Sequence, residues 1–106
     1  MKLISRIHFL IALFLTLQAQ GKLKVPNLFC DHMILQQNTK NAIWGFAETG
    51  EKITVEASWG ARQTTTADRH GNWKVMLPTP IADTGQHLLL KGTNTIKINN
   101  VAIGEV

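Results

Sequence analysis

The sequence places a thiol, a carboxylate and an imidazole side by side at Cys30, Asp31 and His32. Such groups can act as nucleophile, orienting acid and general base, or as ligands of a metal ion. A nucleophilic site requires the three groups to meet in one hydrogen-bonded line. In an extended strand Asp31 points away from the other two side chains, so only a turn could assemble the site. We therefore interpret the stretch as a buried structural cysteine beside a polar turn.

The remaining histidines offer little metal chemistry. His70 lies in a predicted hairpin turn and His87 stands beside an apolar run. Together with His32 they lack the paired short spacing that is typical of zinc ligands. No two carboxylates stand out as a general acid and base. The sequence therefore assigns no catalytic residue, no cofactor-binding residue and no metal ligand, and it implies no cofactor.

Three tryptophans, Trp44, Trp59 and Trp73, form the next group of candidates. Exposed indole rings in a small β-domain could make a flat platform on which sugar rings stack. Each tryptophan nevertheless falls in phase with aliphatic neighbours, which is typical of core residues. We predict that all three pack in the core, and a sugar platform stays open as the alternative.

The elements that position these residues are predicted to be strands. Apolar residues alternate with polar ones in four runs: KITVEASW, NAIWGFA, NWKVMLP and TIKINN. Turn signals containing glycine separate the runs at intervals of about ten residues. A change of phase at Asn99 and Asn100 predicts a bulge. Residues 22–106 are therefore expected to form one all-β domain, an antiparallel β-sandwich of jelly-roll or immunoglobulin-like type with seven or eight short strands.

The first 21 residues have the features of a signal peptide. Lys2 and Arg6 precede an apolar run from Phe9 to Leu17, which is too short to span a bilayer. We expect export to the periplasm or the extracellular space, with no membrane attachment after cleavage. Loss of this segment lowers the formal net charge from +4 to +2, because two of the 11 basic residues are removed. The remaining basic residues are scattered, which argues against a nucleic-acid surface.

Four motifs in order give the sequence a family resemblance: LFCDHMILQQ, WGFAETGEKITV, TTTADRHGNWKVMLP and LLLKGTNTIKINNVAIGEV. They resemble the N-terminal β-domain of bacterial sialate O-acetylesterases, which are secreted hydrolases of the SGNH type. Cys30 and Thr49 depart from that pattern, since the family commonly has a small residue and a proline there. The resemblance implies a following catalytic α/β domain, in which a serine with Asp and His partners hydrolyses an O-acetyl ester. No residue of this chain matches those catalytic groups.

The resemblance leads to a functional expectation. Residues 22–106 would be the non-catalytic front domain of a secreted sialate O-acetylesterase, truncated before the catalytic domain and inactive alone. Its partners would be its own C-terminal catalytic domain and an O-acetylated glycan. Residues 101–106 would then form an exposed apolar tail that lowers solubility. A stand-alone secreted glycan-binding β-sandwich is the first alternative, and a purely structural interaction module is the second.

Overall fold

The computed structural model describes residues 22–106, so the predicted signal peptide lies outside the described residues. This part of the chain folds into strands joined by turns and loops. No helix within it is long and apolar enough to cross a membrane. The strands are β1 (Ile34–Gln36), β2 (Lys40–Phe46), β3 (Lys52–Ala57), β4 (Arg62–Thr66), β5 (Asn72–Pro78), β6 (Asp83–Lys91) and β7 (Thr95–Gly104). The all-β prediction and the expected number of strands are confirmed.

The strands form two sheets. One sheet has five strands in the order β1-β7-β6-β3-β4, and the other pairs β2 with β5. In the immunoglobulin fold, the C, F and G strands share one sheet while B and E belong to the other. Here β3, β6 and β7 take the places of C, F and G, and β2 and β5 take the places of B and E. Of the two predicted architectures, the strand order therefore favours the immunoglobulin-like one.

One edge of the five-stranded sheet departs from the antiparallel pairing of the rest of the fold. Strand β1 runs parallel to β7, with Ile34 opposite Ala102 and Gln36 opposite Gly104, whereas the other strand pairs are antiparallel. A parallel pair requires a long connection between its strands. Here the strands β2 to β6 provide it, since β1 is the first strand and β7 the last. Sequence periodicity reports the faces of a strand but not its direction, so it left this pairing undetermined.

Strand alternation builds the core between the sheets. On β5, Trp73, Val75 and Leu77 are buried while the residues between them are exposed. The five-stranded sheet supplies further fully buried aliphatic side chains, among them Ile53 and Leu88. Because one face of each strand is apolar, burial of that face fixes the register of the pairing. The core comprises Leu23, Phe29, Leu35, Ile43, Ile53, Val55, Ala67, Trp73, Val75, Leu77, Leu88, Leu90, Ile98 and Val101.

The predicted bulge lies where the sequence changes phase. Leu88 pairs with Ile98 and Gln86 with Val101, so β7 carries one more residue than β6 between these pairs. Asn100 adopts a φ of 54°, in the left-handed region that asparagine tolerates better than most residues. The extra residue returns Val101 to the core side, where it is buried together with Ile103.

The expected apolar tail is not observed. Strand β7 continues to Gly104 and pairs with β6 on one side and β1 on the other. Residues 101–104 of the predicted tail therefore lie in an interior strand, and hydrogen bonds also hold the backbone at the end of the strand and at Val106, whose side chain is exposed. Gln37 donates a backbone hydrogen bond to the Gly104 carbonyl (2.9 Å), and the Val106 amide donates to Gln36 Oε1 (2.9 Å).

Candidate functional site

The cysteine-aspartate-histidine stretch forms a turn ahead of β1. The amide of Met33 donates to the carbonyl of Cys30 at 3.2 Å, which closes the turn. His32 adopts a φ of 69° and donates its backbone N–H to the Asn99 carbonyl at 3.1 Å. The prediction of a polar turn is confirmed, and the turn is anchored on β7.

The turn does not assemble a nucleophilic site. Asp31 Oδ1 accepts the backbone N–H of Asn99 at 2.8 Å, so this carboxylate orients the bulge of β7 and not the imidazole. The Cys30 thiol makes only a long contact, at 3.9 Å, with the Leu28 carbonyl. Within residues 22–106 no hydrogen bond joins the side chains of Cys30, Asp31 and His32. The thiol is exposed, so its predicted burial is wrong, because the turn directs Phe29 inward instead.

The histidines are also separated from one another. The amide of His70 is held by Asp68 Oδ1 at 2.8 Å in the turn between β4 and β5. His87 lies on β6, where its backbone N–H donates to Ser58 Oγ at 2.9 Å and its carbonyl accepts from the Ser58 amide at 3.0 Å. In the described part of the chain no three His, Cys, Asp or Glu side chains are grouped so that they could hold a metal ion.

The tryptophans occupy three different environments. Trp73 is 3% exposed, and its indole N–H donates to the Phe46 carbonyl at 3.2 Å. Trp59 is half-buried in the turn after β3, packs against the core and donates to the Pro78 carbonyl at 2.9 Å. Core packing is thus confirmed for Trp73 and confirmed in part for Trp59, which lies beyond the strand predicted to contain it.

Trp44 does not pack in the core, so its predicted burial is wrong. It is 37% exposed, on the outer face of β2, because Ile43 and Gly45 take the inward positions of that strand. Its ring meets that of Phe29 edge to face, with centroids 4.7 Å apart and an interplanar angle of 82°. Aromatic pairs favour this arrangement, which fixes the orientation of the exposed indole.

Exposed apolar side chains gather around Trp44. Phe46 is 50% exposed two residues further along β2, and Met76 is 42% exposed opposite Ala42 on β5. An apolar groove of about 520 Å³ opens on one side of the indole. Its lining is Leu28, Phe29, Cys30, His32, Met33, Ile34, Leu35, Asn41, Ala42 and Trp44.

A second cleft, of about 350 Å³, lies on the other side of Trp44, and two charged side chains and an amide stand among its lining residues. Its lining is Trp44, Gly45, Phe46, Asp68, Asn72, Trp73 and Lys74. The register of the two-stranded sheet explains the composition, since Trp44 pairs with Lys74 and Phe46 with Asn72. Side chains of directly paired residues share one face of a sheet, so two aromatic rings stand beside an ammonium and an amide.

Two carboxylates have lowered pKa values, each for a local reason. The Lys91 ammonium, 3.1 Å from Glu56 Oε2, lowers the pKa of Glu56, and Arg62 contributes less from the neighbouring strand. Backbone N–H donors, that of Asn72 first, lower the pKa of Asp68, whose Oδ1 they approach within 3.0 Å. Both arrangements are explained by cross-strand pairing and turn capping, and neither resembles a catalytic acid.

Comparison with known proteins relates this fold to part of a carbohydrate esterase. The structure resembles part of a carbohydrate acetylesterase from Xanthomonas citri, with a TM-score of 0.73 and 30% sequence identity. The match covers 77% of this chain and 19% of that enzyme, so the chain spans about a fifth of the enzyme's length. Neither a protein-family model nor a curated protein matches the sequence. The structural likeness supports a relation to carbohydrate esterases.

Proposed function

We propose that this chain supplies the N-terminal, non-catalytic β-domain of an exported sialate O-acetylesterase. The observation that carries the proposal is the fold match to a carbohydrate acetylesterase at 30% identity, in which the matched part makes up 19% of the enzyme. The four motifs that resemble sialate O-acetylesterases direct the choice of ester. The apolar run from Phe9 to Leu17 supports export.

The domain serves the esterase as a docking and supporting unit. Hydrolysis of an acetyl ester requires a nucleophile, a base and donors for the oxyanion, and the turn at Cys30 to His32 lacks that geometry. These groups would belong to a separate catalytic domain. Leu28 and Ile34, which are 63% and 59% exposed beside the apolar groove, favour contact with another protein surface. The groove is the surface we assign to that catalytic domain.

A chimeric enzyme tests the structural part of the proposal. In the Xanthomonas citri acetylesterase, the matched segment is replaced by residues 22–106, and acetate release from an acetylated carbohydrate is measured. We expect a folded enzyme that retains acetylesterase activity. A matched chimera that also carries Leu28→Asp and Ile34→Asp should lose activity or solubility, because charges then oppose the apolar contact. A folded but inactive first chimera would contradict the proposal.

Gene deletion tests the choice of substrate. Removing the gene that encodes this chain should lower acetate release from O-acetylated sialoglycoprotein in the culture medium and periplasm, while release from acetylated xylan remains unchanged. Equal losses on both substrates would contradict the assignment to sialate esters but would leave the carbohydrate esterase relation intact. The purified 106-residue chain should release no acetate from either substrate.

A further inference from the structure

We propose that the cleft lined by Trp44, Phe46 and Lys74 binds a pyranose ring of a carbohydrate, stacked on the exposed aromatic residues of β2. The choice of carbohydrate rests on the proposed function, whereas the site itself is argued from its own geometry. The cleft has a volume of about 350 Å³. Small-ligand sites commonly measure about 300–1,000 Å³ and combine an apolar or aromatic surface with a few polar groups.

The aromatic part of the cleft suits the apolar face of a sugar. A pyranose presents C–H groups on one side, and their partial positive charge is attracted to the electron-rich face of an aromatic ring. Trp44 and Phe46 are separated by one residue on the same face of β2 and are 37% and 50% exposed. The edge-to-face contact with buried Phe29 holds the indole in place before any ligand arrives. This preorganisation lowers the entropic cost of binding.

The indole N–H of Trp44 is available to a ligand. The N–H groups of Trp59 and Trp73 each donate to a backbone carbonyl, at 2.9 and 3.2 Å. For Trp44, residues 22–106 provide no such acceptor. Indole N–H groups that are partly buried usually find a partner, so this difference marks Trp44 as the tryptophan with an unused donor.

The polar rim of the cleft suits sugar hydroxyls. Across residues 22–106 the Lys74 ammonium forms no ion pair, and the Asn72 amide forms no hydrogen bond through its side chain. Asp68 Oδ1 accepts the backbone N–H groups of His70 and Asn72, at 2.8 and 3.0 Å, so Asp68 Oδ2 can accept from other donors. The Lys74 ammonium and the Asn72 amide nitrogen can donate hydrogen bonds, while the Asn72 amide oxygen and the Asp68 carboxylate can accept them. A sugar hydroxyl both donates and accepts, so it can pair with either kind of group. A protein-docking surface would not require this set of unpaired groups.

Titration of the isotope-labelled 106-residue chain with sialyllactose and with acetylated xylan oligosaccharides tests the site. Nuclear magnetic resonance resolves the three indole N–H signals separately. We expect the Trp44 signal to shift with at least one of these sugars, while those of Trp59 and Trp73 remain in place because their hydrogen bonds are internal. If neither sugar moves the Trp44 signal, the proposal is wrong.

Substitutions separate stacking from general apolarity. Trp44→Ala should weaken binding at least about tenfold, a factor typical for loss of a central aromatic contact. Lys74→Met should weaken it about threefold through loss of one hydrogen-bonding group. The matched control is Met76→Ala, since Met76 is exposed to a similar extent on the same sheet face but lies outside the cleft. Equal weakening by Trp44→Ala and Met76→Ala would overturn the proposal and favour a protein-docking face.

A fold control keeps the result interpretable. The Trp73 indole signal depends on the hydrogen bond to the Phe46 carbonyl, so it reports the integrity of β2 and β5 in every variant. Should Trp44→Ala fail to fold, Trp44→Phe retains a ring without the N–H donor and should still weaken binding measurably. Loss of sugar binding with an active chimeric esterase would refute this site alone. An inactive chimera with sugar binding intact would instead refute the proposed function.

Discussion

Trp44 and Trp73 lie on opposite faces of the same two-stranded sheet and show how one residue type serves two purposes. Trp73 faces inward, is 3% exposed and donates its indole N–H to a backbone carbonyl. Trp44 faces outward, is 37% exposed and has a free donor among residues 22–106. The inner face is held by packing, whereas the outer face combines aromatic rings with unpaired polar groups. Exposure together with hydrogen-bonding state distinguishes a structural tryptophan from a candidate binding residue.

The largest expected effect comes from removing the inner ring. Trp73→Ala should lower the free energy of unfolding by about 3–5 kcal/mol, because a cavity replaces a buried indole. Trp44→Ala should cost no more than about 1 kcal/mol, since its ring is partly in solvent and contributes mainly the contact with Phe29. Urea unfolding of both variants measures the difference. Similar losses for the two variants would contradict the assignment of separate roles.

The next effect concerns the glycine that makes room for the inner ring. Gly45 pairs with Trp73, and a Cβ at Gly45 would clash with the Lys24 carbonyl oxygen and lie 2.9 Å from Trp73 Cζ2. Gly45→Ala should therefore destabilise the domain by about 1–3 kcal/mol, as overpacking does. Gly104→Ala on β7 is the matched control, because nothing lies within 4 Å of its Cβ position. Denaturation midpoints of the two variants should differ, and equal midpoints would argue against close packing at Gly45.

A smaller effect is expected in the turn at Cys30 and Asp31, where substitutions test whether that turn stabilises the fold. Asp31→Ala should destabilise the domain by about 1 kcal/mol, because the Asn99 amide loses its acceptor. Cys30→Ser, next to it, should change stability by less than about 0.5 kcal/mol, as for other surface positions. Thermal unfolding compares the two. A larger loss for Cys30→Ser than for Asp31→Ala would show that the thiol has a structural role.

The smallest effect is the pH dependence that Glu56 and Asp68 contribute. Their pKa values are lowered in the folded state, so their stabilising effect is present above the ordinary values of 4.5 for Glu56 and 3.8 for Asp68. It is lost as the pH falls through the lower folded values, because protonation then favours the unfolded chain. Melting temperatures between about pH 6 and pH 2 should fall less steeply for Glu56→Gln/Asp68→Asn than for the parent chain. Parallel curves would contradict these pKa shifts.

The candidate site shows where sequence reasoning was sufficient and where it was not. Alternation identified the inward set Trp73, Val75 and Leu77 on β5, because one buried face of a strand produces a period of two. The same rule misassigned Trp44, since both faces of β2 carry apolar residues and the larger side chains were taken as the core. The pairing of Gly45 with Trp73 would have shown that Gly45 lies on the inner face of β2 and Trp44 on the outer face. This pairing can be seen only once β2 is placed beside β5.

The all-β class, the bulge near Asn99 and Asn100 and the polar turn at Asp31 could be predicted from the sequence, because these features depend on local periodicity and turn chemistry. Three features emerge only when the strands assemble: β1 runs parallel to β7, Asp31 binds β7, and Trp44 lies outside the core. Each of those outcomes depends on which distant strand becomes a neighbour. Residues more than 60 positions apart meet there, as in the hydrogen bond between Asp31 and Asn99, separated by 68 positions. No local pattern encodes such a pairing.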